Sequence, residues 1–431
     1  MANAKIFCNT PWYEAHIYWD GSLGICCQES RRLSTDVTHN IKNMSLNEWF
    51  NSRPVRQFRK EILSDSQIDV CSRCYHEEHL GSYSRRHRSN QKSVIFTNTA
   101  FENSYDQSPG YPHFKLSEVN DGITDTYPVD LHIDLGNYCN LACKMCWSKA
   151  SSVIAVQNVK WGVEEDRQYL GTDWTKDFVV WNRFLNELLS IPKLKNIHLM
   201  GGETLLTSRF EELVDFMIQH NRFDICFSFV TNGTVYNQTL IDKLKSFTRI
   251  GIEVSIETVT KHNDYIRQGC DIDTILSNIK KYQDNCTNSN ISLTIRPAIS
   301  ALSIGYYHTL LNYCLENQLL IKSLLVTRPN YLNVNVLPKD IRLAYKNNYL
   351  KILSTLTSVK IDSDYNESDP NNYEKSVKAQ VIQAINLLDQ NSNSDQLKNM
   401  VEHCKKWDQV YKLNALDLYP ELKEIFTQNG Y

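Results

Sequence analysis

The chain has 431 residues, 42% of them apolar and 22% charged, which is an ordinary globular composition and enough length for two or three domains. A formal net charge of −3 gives no broad attraction to nucleic acid or to an anionic membrane. No apolar run approaches the roughly 18 residues of a membrane helix, and Met1–Cys8 lacks an apolar signal core, so no membrane role and no export are expected. The 13 cysteines are odd in number and unevenly spaced. In a chain that is not exported, that pattern favours thiolate ligation of metal over a disulfide framework, and the cytoplasm is the expected location.

In chain order, residues 1–83 form a first segment rich in cysteine and aromatic residues, holding Cys8, Cys26, Cys27, Cys71 and Cys74. Ser45 and Glu48 have the spacing of a capping box, which predicts a helix carrying Trp49 and Phe50. Residues 84–128 read as a linker or wrapping segment, with the basic run Arg85-Arg86-His87-Arg88 and the turn-rich stretch from Ser108 to Pro112. The basic run reads as a solvated patch rather than a phosphate contact.

From residue 129 the pattern alternates strand and helix. Strands are predicted at Val129–Leu135, Asn196–Met200, Ile225–Val230, Gly251–Ile256, Ile291–Arg296 and Ser323–Thr327. Amphipathic helices fall between them, at Arg209–His220, Gln238–Ser246, Ile272–Tyr282 and Tyr306–Leu319. Repeated β-then-α units predict parallel strands joined by right-handed crossovers. The expected fold is therefore α/β, a partial (β/α)6 barrel over 129–335, preceded by a cysteine-rich domain. A mostly helical extension follows over 336–431, with a polar break at Asp362–Asn372. Cys226, Cys270, Cys286, Cys314 and Cys404 are scattered singly and read as small buried apolar residues.

The chemistry centres on Cys139-Asn140-Leu141-Ala142-Cys143-Lys144-Met145-Cys146, which follows the first predicted barrel strand. Three thiolates can hold three irons of a four-iron cluster and leave one iron open to a chelating ligand. A zinc site would want a fourth ligand, and His132 on the preceding strand is the one at hand. With this triplet the sequence resembles the radical S-adenosylmethionine (SAM) superfamily, and the resemblance extends downstream. Gly201-Gly202-Glu203 after the second strand is similar to that family's GGE motif, and Thr231-Asn232-Gly233 after the third to its TNG turn. Ser255-Ile256-Glu257, followed by His262 and Arg267, resembles its fourth-strand stretch. The resemblance implies that Glu203 holds the SAM ammonium, that Ser255 and Arg267 meet its carboxylate, and that Glu257 lies near its ribose. It further implies that Met145, at a position usually aromatic, covers the adenine, with Asn232 beside the cofactor and Arg296 toward the adenosine. All these motifs sit at the C-terminal ends of predicted strands, where barrel enzymes build their sites.

The N-terminal cysteines have their own pattern. Cys8 and Cys26 are spaced C-x12-G-x4-C around Gly21, and Cys71 and Cys74 form CxxC. On the cysteines alone, a zinc ribbon and an iron–sulfur cluster are both open. The first pattern resembles the SPASM and twitch extensions of the radical SAM superfamily, here placed before the barrel instead of after it. The resemblance implies an auxiliary [4Fe–4S] cluster on Cys8, Cys26, Cys71 and Cys74, with Cys27 as the replacement for Cys26. In all, it covers about residues 5–80 and 129–335.

What it implies is an oxidoreductase. Such an enzyme cleaves SAM reductively to a 5′-deoxyadenosyl radical and takes hydrogen from a peptide side chain or small polar substrate. The outcome would be a net oxidation, a dehydrogenation or cross-link, with flavodoxin or ferredoxin as reductant. Epimerisation and RNA modification are the alternative reactions, although no RNA-binding appendage is recognisable. An iron–sulfur electron carrier or redox sensor is the alternative without catalysis, and it has no need of the GGE, Ser255 and Arg267 set.

Overall fold

The computed structural model describes residues 6–64, 67–79, 84–90, 111–171, 173–191, 193–287, 289–361 and 369–431. Residues 1–5, the boundary at residue 83, residues 91–110 of the expected linker and residues 362–368 of the polar break lie outside the described residues. The strands are β1 (Glu14–Ile17), β2 (Leu23–Gly24), β3 (Asp130–Asp134), β4 (Ala142–Cys143), β5 (Asn196–Met200) and β6 (Cys226–Thr231). They continue with β7 (Arg249–Val254), β8 (Arg267–Gln268), β9 (Ile291–Ile295), β10 (Ala298–Ile299), β11 (Leu320–Ile321) and β12 (Leu324–Leu325). Helical segments follow β3, β5, β6, β7, β9 and β11, so the chain is α/β as expected. No helix among the described residues is long and apolar enough to cross a membrane.

The chain divides into two compact units, each built from several segments. The first comprises residues 1–139, 148–229 and 238–250, and the second 140–147, 230–237 and 251–431.

In the first unit the strand order is β2-β1-β3-β5-β6. β1/β3, β3/β5 and β5/β6 are parallel, and β1/β2 is an antiparallel hairpin. The cysteine-rich segment thus contributes two strands to the sheet. The predicted capping box forms: Ser45 Oγ accepts from Glu48 N, and Glu48 accepts from Ser45 N, opening the helix Leu46–Phe50.

Parallel strands covered on both faces usually read as continuous apolar runs. These alternate instead. Phe227 and Phe229 of β6 point to the helical side, where Phe229 meets Phe210 and Phe227 meets Phe247 at 5.1 and 4.7 Å. The other face is polar, and the register stacks it in rows. Glu14, Asp130, Asn196 and Cys226 are successive partners, as are His16, His132, His198 and Ser228. A polar face on buried parallel strands costs desolvation, which is tolerated where the groups pair or serve a site.

In the second unit β7, β9 and β11 are neighbours, and β9 and β11 are parallel. The strand expected at Ser323–Thr327 is displaced: the sheet member is Leu320–Ile321, and Leu324–Leu325 pairs with β10 instead. A helix seals the β11 edge. Ser376 Oγ, on the helix Tyr373–Leu388, accepts from Ile321 N and donates to Ile321 O, both at 2.8 Å. Arg342, 3% exposed, donates to the carbonyls of Leu337 and Leu388 and so ties the helix Lys339–Thr355 to its neighbour.

Candidate functional site

In the first unit, the turn after β5 folds back on the segment leading to Cys139. Gly201 and Gly202 have φ of +86° and +52°, a region that glycine enters without strain. A Cβ on Gly202 would lie 2.0 Å from Tyr138 O, so only glycine admits this approach. Glu203 N donates to Tyr138 O at 2.8 Å, and its carboxylate, 1% exposed, accepts from Leu205 N. Cys139 is half-buried, and its N donates to Ser152 Oγ at 3.2 Å.

In the second unit, residues 140–147 are held from two sides. Asn232 Nδ2 donates to Asn140 Oδ1 at 2.8 Å, and Asn140 Nδ2 donates to Thr234 Oγ1 at 2.9 Å. The Asn232-Gly233 turn thereby clasps the residue after Cys139. On the other side β4 pairs antiparallel with β8, with Cys143 opposite Arg267. Arg267 Nη1 lies 3.8 Å from Cys143 Sγ. Its Nε and Nη2 donate to the two oxygens of Glu257, at 2.5 and 2.7 Å. Glu257 is fully buried and also accepts from Ala298 N at 3.2 Å. Burial alone would lower the Arg267 pKa, but Glu257, together with Cys143, holds it raised.

The other expected cofactor residues are less engaged. Ser255 N donates to Thr231 O at 2.9 Å, and Met145 and Cys146 are half-buried. Arg296 pairs with Glu253 at 2.9 Å and donates to Lys322 O. His262 is turned to the extension: it stacks on Tyr306 at 3.4 Å and bonds Leu418 O at 2.7 Å. Between the cysteines, Lys144 is buried, and desolvation pushes its ammonium down to about 8.

The N-terminal cysteines, all in the first unit, fall into two groups. Cys8, Cys71 and Cys74 lie near enough for their charges to act on one another, with Arg86 as the cation acting on Cys8 and Cys71. Burial pushes all three thiols up, Cys74 to about 12. Cys26 and Cys27 share a hydrogen bond, and Arg85 acts on both. Cys27 is the one held low, by that bond and by His132. Ser30 ties their loop to the CxxC turn, its N donating to Val70 O and its Oγ to Asp69 O. Thiols grouped beside guanidinium groups suit anionic thiolate clusters.

The basic run departs from its surface reading. Arg85 and Arg86 are 8% and 4% exposed. Arg85 Nη2 donates to Glu14 Oε2 at 2.6 Å and to His132 Nε2 at 2.8 Å, and lies 4.0 Å from Asp130. Arg86 pairs with Glu78 and donates to Phe7 O. The reason is charge balance: the polar strand face carries carboxylates that need a buried cation. Glu14, Asp130 and His132 lie close enough to share one ion, but the Arg85 guanidinium already stands among them. His132 thus has a partner other than zinc. Beside His132 in its row, His16 Nε2 pairs with Asp134 at 3.1 Å. Alternating Glu14, His16, Asp130, His132 and Asp134 in short strands was the sequence signal for this face.

Comparison with known proteins adds two domain matches. Residues 133–297 match the radical SAM superfamily, and residues 8–75 match the SPASM iron–sulfur cluster-binding domain. No curated protein matches the chain. Similar solved structures include SuiB of Streptococcus suis bound to S-adenosylmethionine, at 17% identity and a TM-score of 0.39, covering 68% of this chain and 60% of that one. SuiB bound to its precursor peptide SuiA gives 16% identity, coverage of 75% and 67%, and a TM-score of 0.39. Native anSMEcpe with bound AdoMet gives 14%, 53% and 62%, and 0.39. The chain therefore spans 60–62% of the length of two of these structures.

Proposed function

Because the chain belongs to the radical SAM superfamily and carries its SPASM domain, we propose that it is an oxidoreductase that abstracts hydrogen from a peptide side chain or small polar molecule and completes a net oxidation. When bound, a [4Fe–4S] cluster with S-adenosylmethionine supplies one-electron cleavage of a C–S bond and hydrogen-atom abstraction from an unactivated carbon. Cys139, Cys143 and Cys146 are the residues that would hold it.

The observation that carries this reading is the Cys143–Arg267–Glu257 arrangement. A buried guanidinium fixed by a bidentate carboxylate stands against one thiol of the triplet and offsets thiolate charge there. The Gly201-Gly202 turn lets backbone approach closely, and Glu203 is the carboxylate for an ammonium group. Met145, Asn232, Ser255 and Arg296 are assigned to the rest of the cofactor. Cys8, Cys71 and Cys74, with Cys26 or Cys27, are assigned to the auxiliary cluster, and this second iron–sulfur site supports oxidation over epimerisation. A flavodoxin- or ferredoxin-type reductant is the proposed electron donor.

Anaerobic incubation of fully reconstituted protein with dithionite and S-adenosylmethionine tests the proposal. It is expected to release 5′-deoxyadenosine, and the Cys139→Ala/Cys143→Ala/Cys146→Ala variant is expected to release none. No 5′-deoxyadenosine from the parent protein overturns the reading.

A further inference from the structure

The first unit contains a carboxylate that none of these roles uses. Glu29 follows the Cys26-Cys27 pair and is the centre of its turn. Its Oε1 accepts from Ile25 N at 2.6 Å and from Cys26 N at 3.3 Å. Its Oε2 accepts from the Tyr18 hydroxyl at 3.0 Å and from Leu33 N at 3.2 Å. A Cβ on Gly24 would come within 2.9 Å of Oε1, so glycine there leaves room for the carboxylate. Every one of these donors lies between Tyr18 and Leu33, so the carboxylate gathers a single stretch of backbone around itself.

The cysteines are held within that stretch. The carbonyl of Cys26 accepts from Glu29 N at 3.3 Å, and the Tyr18 hydroxyl reaches it at 3.4 Å. Gln28 donates to both sulfurs, from its backbone N to Cys26 Sγ at 3.4 Å and from Nε2 to Cys27 Sγ at 3.8 Å. Hydrogen bonds to sulfur, and outer partners that orient the ligands, are how a protein prepares thiolates for metal. Ser30 then carries the turn to Asp69 and Val70, directly before Cys71. Charge does not explain the choice of residue: a carboxylate repels nearby thiolates, and burial pushes its own carboxyl up. Its two acceptor oxygens do explain it. Glutamine has one, and would turn amide hydrogens toward the remaining donors.

We propose that Glu29 is a positioning residue that holds the Cys26-Cys27 turn in its ligating form and so sets the metal affinity of the auxiliary site; this rests on the auxiliary-cluster assignment above. Loss of an outer partner of this kind costs about 10–100-fold in affinity. Glu29 and Ser30 then belong to the metal centre as much as the cysteines do, since one shapes the turn and the other docks it beside the CxxC segment.

The test is a Co²⁺ titration of the full chain carrying Cys139→Ala/Cys143→Ala/Cys146→Ala, which leaves the N-terminal set as the thiolate site, read by thiolate-to-cobalt charge-transfer absorption. Adding Glu29→Ala is expected to weaken binding by about 10–100-fold. Unchanged affinity in the folded variant overturns the inference, whatever stability is lost, because a residue that only packs the loop would leave the metal site alone. Should Glu29→Ala fail to fold, Glu29→Gln decides, since it keeps the size but removes one acceptor oxygen. Weakened binding there supports the inference, and unchanged binding overturns it. No Co²⁺ binding before Glu29 is altered would sink the auxiliary-site assignment and this inference together, whereas unchanged affinity sinks this one alone.

Discussion

Arg267 illustrates how much one side chain's role depends on its partner. The sequence motif assigns it to a cofactor carboxylate, yet two nitrogens of its guanidinium, Nε and Nη2, donate to Glu257 and the third, Nη1, faces Cys143. Removing one member of such a pair leaves the other buried and uncompensated, at a cost of about 3–5 kcal/mol. Glu257→Ala is therefore expected to destabilise the protein by about that amount in denaturant unfolding. Arg267→Met in the same background should recover part of the loss, because it removes the orphaned charge. A double variant no more stable than Glu257→Ala would show that the carboxylate matters for packing alone.

At the scale of elements, local signals behave as chemistry predicts where they are complete within a few residues. The Ser45–Glu48 capping box needs only the turn it closes, and it forms. Ser45→Ala should cost about 1 kcal/mol by chemical denaturation, since Glu48 N loses its acceptor. The sixth strand is less local. Ile321 is a sheet member because Ser376, 55 residues away, satisfies its free backbone edge. The apolar run around it offers several registers, and the packed helix chooses one. Alternation on β1, β3 and β5 was legible as pattern, but its meaning required the rows: two histidine pairs in line and Arg85 among the carboxylates.

For the whole molecule, two cysteine sets on one chain predict a count. Full reconstitution should give about eight irons per chain, and the Cys139→Ala/Cys143→Ala/Cys146→Ala variant about four. Iron and sulfide analysis reads both. Zinc that persists in the N-terminal set after anaerobic reconstitution would defeat the auxiliary-cluster assignment. The segment before the barrel is bound into the same sheet through β1 and β3, so losing its metal should also lower the stability of the first unit.

The sequence by itself determined the cofactor class, because ligand spacing and strand-end turns are short-range: CxxxCxxC, Gly-Gly-Glu and C-x12-G-x4-C need no distant partner to be recognised. It also determined the α/β alternation, which follows from periodicity. Tertiary structure decided which charges are buried and against what. Nothing local distinguishes Arg85 from a surface arginine, or Lys144 from any lysine in a loop. The first is buried because carboxylates on β1 and β3 need a cation, the second because Tyr265 and Trp407 close over it. Desolvation is a property of everything that surrounds a group, and only the folded chain specifies those surroundings.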